Sequence, residues 1–183
     1  MPRYFKFVCL NPDTDEYIAE FKSGRARFGW SPPGRDLRVL KTKDRMGEEK
    51  VTWSYTKFLL ERIAPGDRIV VQTEKPIRRI LIGEVTSDHY DFTPGDRPDF
   101  NHVLHIKPLT PEPIPLSSKS VTDSLKRNLS KRGHYYEVYP SDAIEQLDKL
   151  VEESQAGTIE KAIREDDDTV QLTLESVKTA IAK

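Results

Sequence analysis

The segment Pro65-Gly66-Asp67 followed by Arg68-Ile69-Val70-Val71-Gln72 constrains the fold of this chain more than any other stretch. A tight turn that delivers a short, strongly apolar, β-branched run is the pattern of a buried strand. Ile77 to Val85 repeats it, with Gly83 marking a bulge or a point of close packing. Arg3 to Leu10, rich in aromatic and β-branched residues and stopped by Asn11-Pro12-Asp13, reads as another strand. Asn101 to Leu109 alternates as one more, and Glu16 to Lys22 alternates weakly, as the second strand of a hairpin would. Between them, Tyr55, Phe58, Leu59 and Ile63 recur at spacings of three and four, predicting a helix over Ser54 to Ile63 with Trp53 just before it. Several strands with one helix inserted early predict an α+β fold, a small curled sheet or open β-barrel with flanking helices.

The connecting segments are read in the same way. Gly24 to Gly34 is a glycine- and proline-rich loop, Asp36 to Leu40 a short helical turn, and Thr42 to Lys50 a charged, mobile stretch. Pro108 to Pro115 is a stiff connector. Val121, Leu125 and Leu129 predict a helix over Ser118 to Ser130. Ser141 is read as the N-cap of a helix lined by Ile144, Leu147 and Val151. Residues 156–183 are polar and acidic, consistent with weak helices or a linker. The expected organisation is a recognition domain over 1–110, a trailing connector and helix over 111–139, and an acidic helical extension over 140–183.

Cys9 stands alone, so a disulfide framework and a cysteine-rich zinc site are excluded. No run is apolar enough to span a bilayer, and Met1-Pro2-Arg3-Tyr4 lacks the apolar core of a signal peptide, so a cytoplasmic protein is expected. The formal net charge of -1 hides an asymmetry. Residues 1–139 carry 24 Lys+Arg against 19 Asp+Glu, and residues 140–183 carry 5 against 11. A basic body with an acidic tail is compatible with a nucleic-acid partner.

No phosphate-binding loop, nucleophile elbow or paired metal histidines are present. His102 and His105, three apart on a strand, point to opposite faces, and no metal or cofactor is expected. The positive signal is aromatic. Trp30 sits among Gly29, Ser31, Pro32 and Pro33, with Arg25 and Arg27 just before it. It is either a stacking wall for a planar base or a cover over one end of the barrel. Trp53 is either a second wall or a staple on Phe58. Tyr90 and Phe92 either floor a pocket or belong to a plain sheet face. Asp36 either accepts from the amine of a base or caps a helical turn. Arg35, Arg38, Lys41, Lys43 and Arg45 form one basic cluster, and Lys119, Lys126, Arg127, Lys131 and Arg132 another. Each is either a track for phosphates or a solvated face.

The order of these motifs resembles a known family. Phe28-Gly29-Trp30-Ser31 with Asp36-Leu37, then Ala64-Pro65-Gly66-Asp67-Arg68-Ile69-Val70-Val71, then Ile82-Gly83-Glu84-Val85 with Tyr90-Asp91-Phe92, then His102-Val103-Leu104, resembles the EVE-like domains of the PUA superfamily. The likeness is strongest to domains at the N-terminus of Mrr-like and McrB-like restriction proteins, and it extends to residue 139. That superfamily includes the YTH readers, in which an aromatic cage holds a modified, flipped base. The resemblance places Trp30 in the cage and Tyr90 and Phe92 beside it; with Ser31, Asp36 and Trp53 these make up the expected base pocket. Phosphate contacts are expected from Arg25, Arg27, Arg35, Arg38, Lys41, Lys43, Lys126 and Arg127.

The expected function is therefore a non-enzymatic reader of a modified base within a restriction or defence system. DNA is the expected ligand, RNA the alternative, and the effector nuclease or motor a separate partner. Two other classes are weighed. One is a protein-interaction module that presents its acidic C-terminal helices. The other is a metal-dependent nuclease using Asp88, Asp91 and Asp96.

Overall fold

The computed structural model describes residues 2–9, 14–29, 35–74, 78–94, 99–131, 133 and 135–159. Its elements run β1 (Tyr4–Cys9), α1 (Thr14–Lys22), β2 (Arg25–Phe28), α2 (Leu37–Thr42), α3 (Glu48–Thr56), α4 (Phe58–Glu61), β3 (Arg68–Thr73) and β4 (Arg79–Phe92). They continue with β5 (His102–Pro108), β6 (Ile114–Pro115), α5 (Asp123–Leu129), β7 (Tyr135–Val138) and α6 (Ser141–Gln155). Among the described residues the strands form one seven-stranded sheet in the order β2-β5-β4-β3-β1-β7, with β6 joined to β4. Only β1 and β3 pair in parallel; every other pairing is antiparallel. The sheet is open. Its end strands approach through side chains, with the rings of Phe28 on β2 and Tyr135 on β7 6.1 Å apart edge to face. The expected α+β class and curled, unclosed sheet with flanking helices are what the molecule has.

The central strands are buried on both faces, and period-two alternation divides their side chains between two cores. Phe5, Phe7, Cys9, Ile69, Val71, Leu81 and Val85 enter one, which α1 to α4 cover. Tyr4, Val70, Ile80 and Ile82 enter the other, which α5, α6 and the chain from Leu109 to Val121 cover. Gly83 is the point of close approach that its position predicted. A Cβ there would lie 2.5 Å from Ile106 Cδ1 and 3.0 Å from Phe21 Cζ.

Several local expectations are corrected. Glu16 to Lys22 is helical, because Tyr17, Ile18 and Phe21 bury one side at helical spacing. Asp15 and Glu16 in its first turn and Lys22 in its last complement the helix dipole. Arg25–Phe28, expected as loop, is an edge strand that turns Ala26 and Phe28 inward. The charged stretch expected to be mobile contains the start of α3, and the predicted helix is divided into α3 and α4. Trp53 thus lies inside α3 rather than ahead of a helix. The helix predicted from Ser118 begins at Asp123, because the Thr122 hydroxyl caps it by accepting from Leu125 N–H. Pro140, not Ser141, is the N-cap of α6.

Lys6 is a lysine buried beside the second core. Its Nζ donates to the carbonyls of Leu129 and, at 3.4 Å, Lys131, just past α5, and lies 5.2 Å from the Tyr136 ring centre. A cation fits a helix C-terminus, but burial lowers its pKa to about 8, from 10.5.

Two predictions arise here. Gly83→Ala should cost roughly 1–3 kcal/mol in denaturant unfolding through overpacking. Ile106→Val, which removes the crowding methyl, should recover part of that loss. Lys6 gives a pH signature. Between about pH 8 and its unfolded value of 10.5 the folded chain has released a proton that the unfolded chain still holds. Stability relative to Lys6→Met should therefore rise through that window and be flat below it.

Candidate functional site

The candidate site lies where the N-terminus of α2 meets the far ends of β4 and β5, and a bulge creates it. Pairing of β4 with β5 runs through Val85 opposite Ile106, then resumes at Tyr90 opposite Leu104. Five steps on β4 thus span two on β5, so three residues within Thr86 to His89 are extra, and that odd number inverts the facing of everything beyond them. Tyr90 and Phe92 consequently turn toward the first core, where Val85 also points.

Tyr90 is buried, and its hydroxyl joins two elements. It accepts from Leu37 N–H at 3.1 Å and sits 2.9 Å from His102 Nδ1. With the phenol as donor to Nδ1, His102 is the tautomer that carries its proton on Nε2. Burial pushes the Tyr90 pKa well above the ordinary tyrosine value, partly opposed by the Leu37 N–H, so the hydroxyl stays a donor. Phe92 packs beside it, 5.5 Å from the His102 ring.

Above this buried layer is a charged one. Asp36 is the N-cap of α2 and accepts from Arg38 N–H at 2.9 Å. The Arg38 guanidinium bonds both Asp36 oxygens, reaches Asp91 at 3.4 Å, and lies 5.6 Å from the Tyr90 ring centre. Partial burial opposes ionisation of Asp36, but its bonds to the Arg38 side chain and backbone outweigh this and hold its carboxyl below the usual range. Arg38 itself stays half exposed at 53%. The layer offers both a carboxylate and guanidinium donors at the surface.

The other predicted residues fall as follows. Trp30 and Ser31 lie outside the described residues, bracketed by Gly29 and Arg35. A Cβ on Gly29 would come 3.2 Å from Asp99 Oδ2. Arg27 is largely buried, with only 8% of its side chain exposed. It is ion-paired with Glu20 and donates to Thr93 Oγ1 at 3.1 Å and to the Phe100 carbonyl at 2.9 Å. Arg25 reaches the same threonine at 3.5 Å. Arg35 pairs with Glu48, and Lys43 with Glu49, so both tie α2 to the start of α3. Lys41 is exposed on α2. Trp53 is partly buried against the first core, with the Arg45 guanidinium 4.4 Å over its ring. Lys126, 3.5 Å from Asp123, and exposed Arg127 ride on α5 over the second core, so they share no surface with the α2 residues.

Asp88 is exposed on the bulge, Asp91 is held by Arg38, and Asp96 lies outside the described residues. No group of three His, Cys, Asp or Glu residues suited to a metal occurs among the described residues. No helix among them is long and apolar enough to cross a membrane. Sequence reasoning weighed His102 only as a metal ligand and missed its pairing with Tyr90, because their proximity depends on the bulge.

No family model and no curated protein matches this chain. Among solved structures it is similar to the Mmi1 YTH domain, crystallised in complex with RNA, at 16% identity and a TM-score of 0.48, covering 86% of this chain and 82% of that one. It is also similar to Rpa0253 from Rhodopseudomonas palustris at 16% identity and a TM-score of 0.41, covering 84% and 94%. A third structure, Atu2648 from Agrobacterium tumefaciens, matches at 15% identity and a TM-score of 0.38, covering 79% and 90%.

Removing the Tyr90 hydroxyl should leave the buried Leu37 N–H unsatisfied. Tyr90→Phe is expected to cost roughly 1–3 kcal/mol in unfolding, and hydrogen exchange at Leu37 should accelerate with it.

Proposed function

We propose that this chain is an EVE-like reader of the PUA superfamily that binds nucleic acid by seating one flipped, modified base beside α2. The observation that carries the proposal is the layered site at the N-terminus of α2. There a buried Tyr90–His102–Leu37 network fixes the floor, and a surface set of Asp36, Arg38 and Asp91 lies over it. Recognition of a flipped base needs a stacking surface, a rigid floor and polar groups for the base edge. Trp30 supplies the stack in this reading, and Ser31 lies beside it. Tyr90 and Phe92 support the floor and do not sandwich the base, since they are committed to the core. Asp36 accepts from an exocyclic amine. Trp53 packs behind α2 and steadies it through Arg45.

Phosphate contacts come from Arg35, Arg38, Lys41 and Lys43, which sit on or flank α2. Arg27, neutralised by Glu20, and its neighbour Arg25 brace the β2 edge. Lys126 and Arg127 form a separate contact on the opposite side of the sheet. A methyl group on the base adds burial worth about 0.8 kcal/mol and favours a modified over a plain base. The proposed setting is the DNA-targeting part of a restriction system, with the nuclease or motor on another protein.

The test is a binding screen of short duplexes and single strands, DNA and RNA, carrying methylated adenine, methylated or hydroxymethylated cytosine, or no modification. Trp30→Ala should weaken binding to the preferred oligonucleotide by about 1–3 kcal/mol, or roughly fivefold to more than a hundredfold, with an unchanged circular dichroism spectrum. Wild-type binding should fall steeply as salt rises from about 50 to about 200 mM. Equal binding by wild type and variant, or no binding at low salt, removes the proposal.

A further inference from the structure

Helix α3 is anchored at the candidate site. The Arg35 guanidinium, just ahead of the Asp36 cap, pairs at 2.7 Å with Glu48 in the first turn of α3. The start of α3 therefore lies beside the start of α2. Both carboxylates of that first turn are compensated, Glu48 by Arg35 and Glu49 by Lys43.

Past this turn the exposed surface changes character. From Lys50 to Leu60 the chain holds two lysines and no Asp or Glu. Lys50, Ser54 and Lys57 recur at spacings of four and three, so they form one stripe along the helix. Lys57 is the C-cap but keeps helical backbone, so the stripe holds its line. All three residues are exposed, and neither lysine has a carboxylate within ion-pair distance among the described residues. The Ser54 hydroxyl turns back onto the Val51 carbonyl at 3.1 Å, which leaves a low, uncharged gap between the lysines. The stripe ends at Glu61 on α4. Thr52 and Thr56 take the buried side of α3. Val51 and Tyr55, one turn apart and each 51% exposed, form a second stripe next to the lysines.

Exposed apolar residues scattered singly need no explanation, but an aromatic stripe bordering a cationic one has a specific complement. A duplex offers phosphates and keeps its base faces inside the stack. An unpaired strand offers both, phosphates to lysines and base faces to an aromatic ring. The rise from Lys50 to Lys57 is about 10 Å, room for about two or three nucleotides at about 3.4 Å each.

On the base-reader assignment above, we propose that the exposed side of α3 carries the unpaired strand that flanks the flipped base. Lys50 and Lys57 contact two of its phosphates, and a neighbouring base lies against Tyr55. The strand reaches this surface past Glu48, whose charge Arg35 has already neutralised.

Fluorescence anisotropy on the full chain tests this with labelled single strands about three and about nine nucleotides long. They are made as DNA and as RNA, with methylated adenine, methylated cytosine or the plain base at the centre, and the long ones are also annealed to their complements. The wild type should bind the preferred long strand roughly tenfold or more tighter than its short version. Lys50→Gln/Lys57→Gln should lose most of that gain and bind the short strand like the wild type. On the long strand its slope of log K against log salt should be shallower by about 1.4, for two phosphates at about 0.7 each. Tyr55→Ala should weaken the long strand by about fivefold or more, and Tyr55→Phe should match the wild type. Equal affinity for both lengths, a double variant that binds the long strand like the wild type, or losses as large on the short strand would overturn the inference. Duplexes bound more tightly than their single strands, with Tyr55→Ala silent, would overturn it too, since the lysines would then meet a paired backbone. Trp30→Ala separates this inference from the base-reader assignment. Length dependence that survives while Trp30→Ala has no effect removes that assignment alone, and binding of no strand at all removes both.

Discussion

The central strands β1, β3 and β4 are buried on both faces, and every other element is placed by that constraint. A strand with no solvated side must find an apolar layer above and below it. Helices α1 to α4 supply one layer, and α5, α6 and the chain before them supply the other. Polar groups trapped between the layers are then matched locally. Lys6 caps the carbonyls at and just past the end of α5, and the Tyr4 hydroxyl, with Arg68, meets Asp148 of α6. The first core also holds an aromatic knot, in which Phe58 and Tyr135 stack at 3.5 Å with Phe28 set edge-on to both. That knot draws the two ends of the open sheet together without backbone pairing between them.

The candidate site depends on a departure from this regularity. Were β4 regular from Val85 to Tyr90, alternation over those five positions would send Tyr90 to the second core and leave α2 without the hydroxyl that receives its first N–H. The bulge rotates the end of β4, and the Tyr90–His102–Leu37 network follows. Asp36 does two tasks at once. It caps α2, and by holding Arg38 across Tyr90 it keeps a carboxylate and a guanidinium side by side at the surface. One carboxylate serves both tasks, because Oδ1 accepts from the Arg38 N–H while both oxygens accept from the Arg38 guanidinium.

Charge on the α2–α3 surface illustrates how pairing redistributes a simple count. The basic cluster from Arg35 to Arg45 read as one patch in sequence. Folding commits Arg35 and Lys43 to the acidic first turn of α3, where Glu48 and Glu49 also favour the helix dipole. It commits Arg45 to the face of Trp53. Among the described residues, the charge left uncompensated sits instead on Lys41, Lys50 and Lys57, two of which no sequence cluster singled out.

The sequence by itself determined the β-rich core and the helical character of the stretch around Tyr55 to Leu59, though not its division into α3 and α4. It also determined the tight turn at Pro65 to Asp67 and the close packing at Gly83, because each follows from local periodicity or from a glycine or proline constraint. It named Tyr90, Phe92, Asp36 and Arg38 as candidates from residue type alone. Only the tertiary structure decided that Glu16 to Lys22 is a helix, since its weak alternation and its helical face are equally present until a core selects one. Only the tertiary structure decided that Tyr90 meets His102 and Leu37, since strand register past a bulge is set by the partner strand and not by the residues that form it.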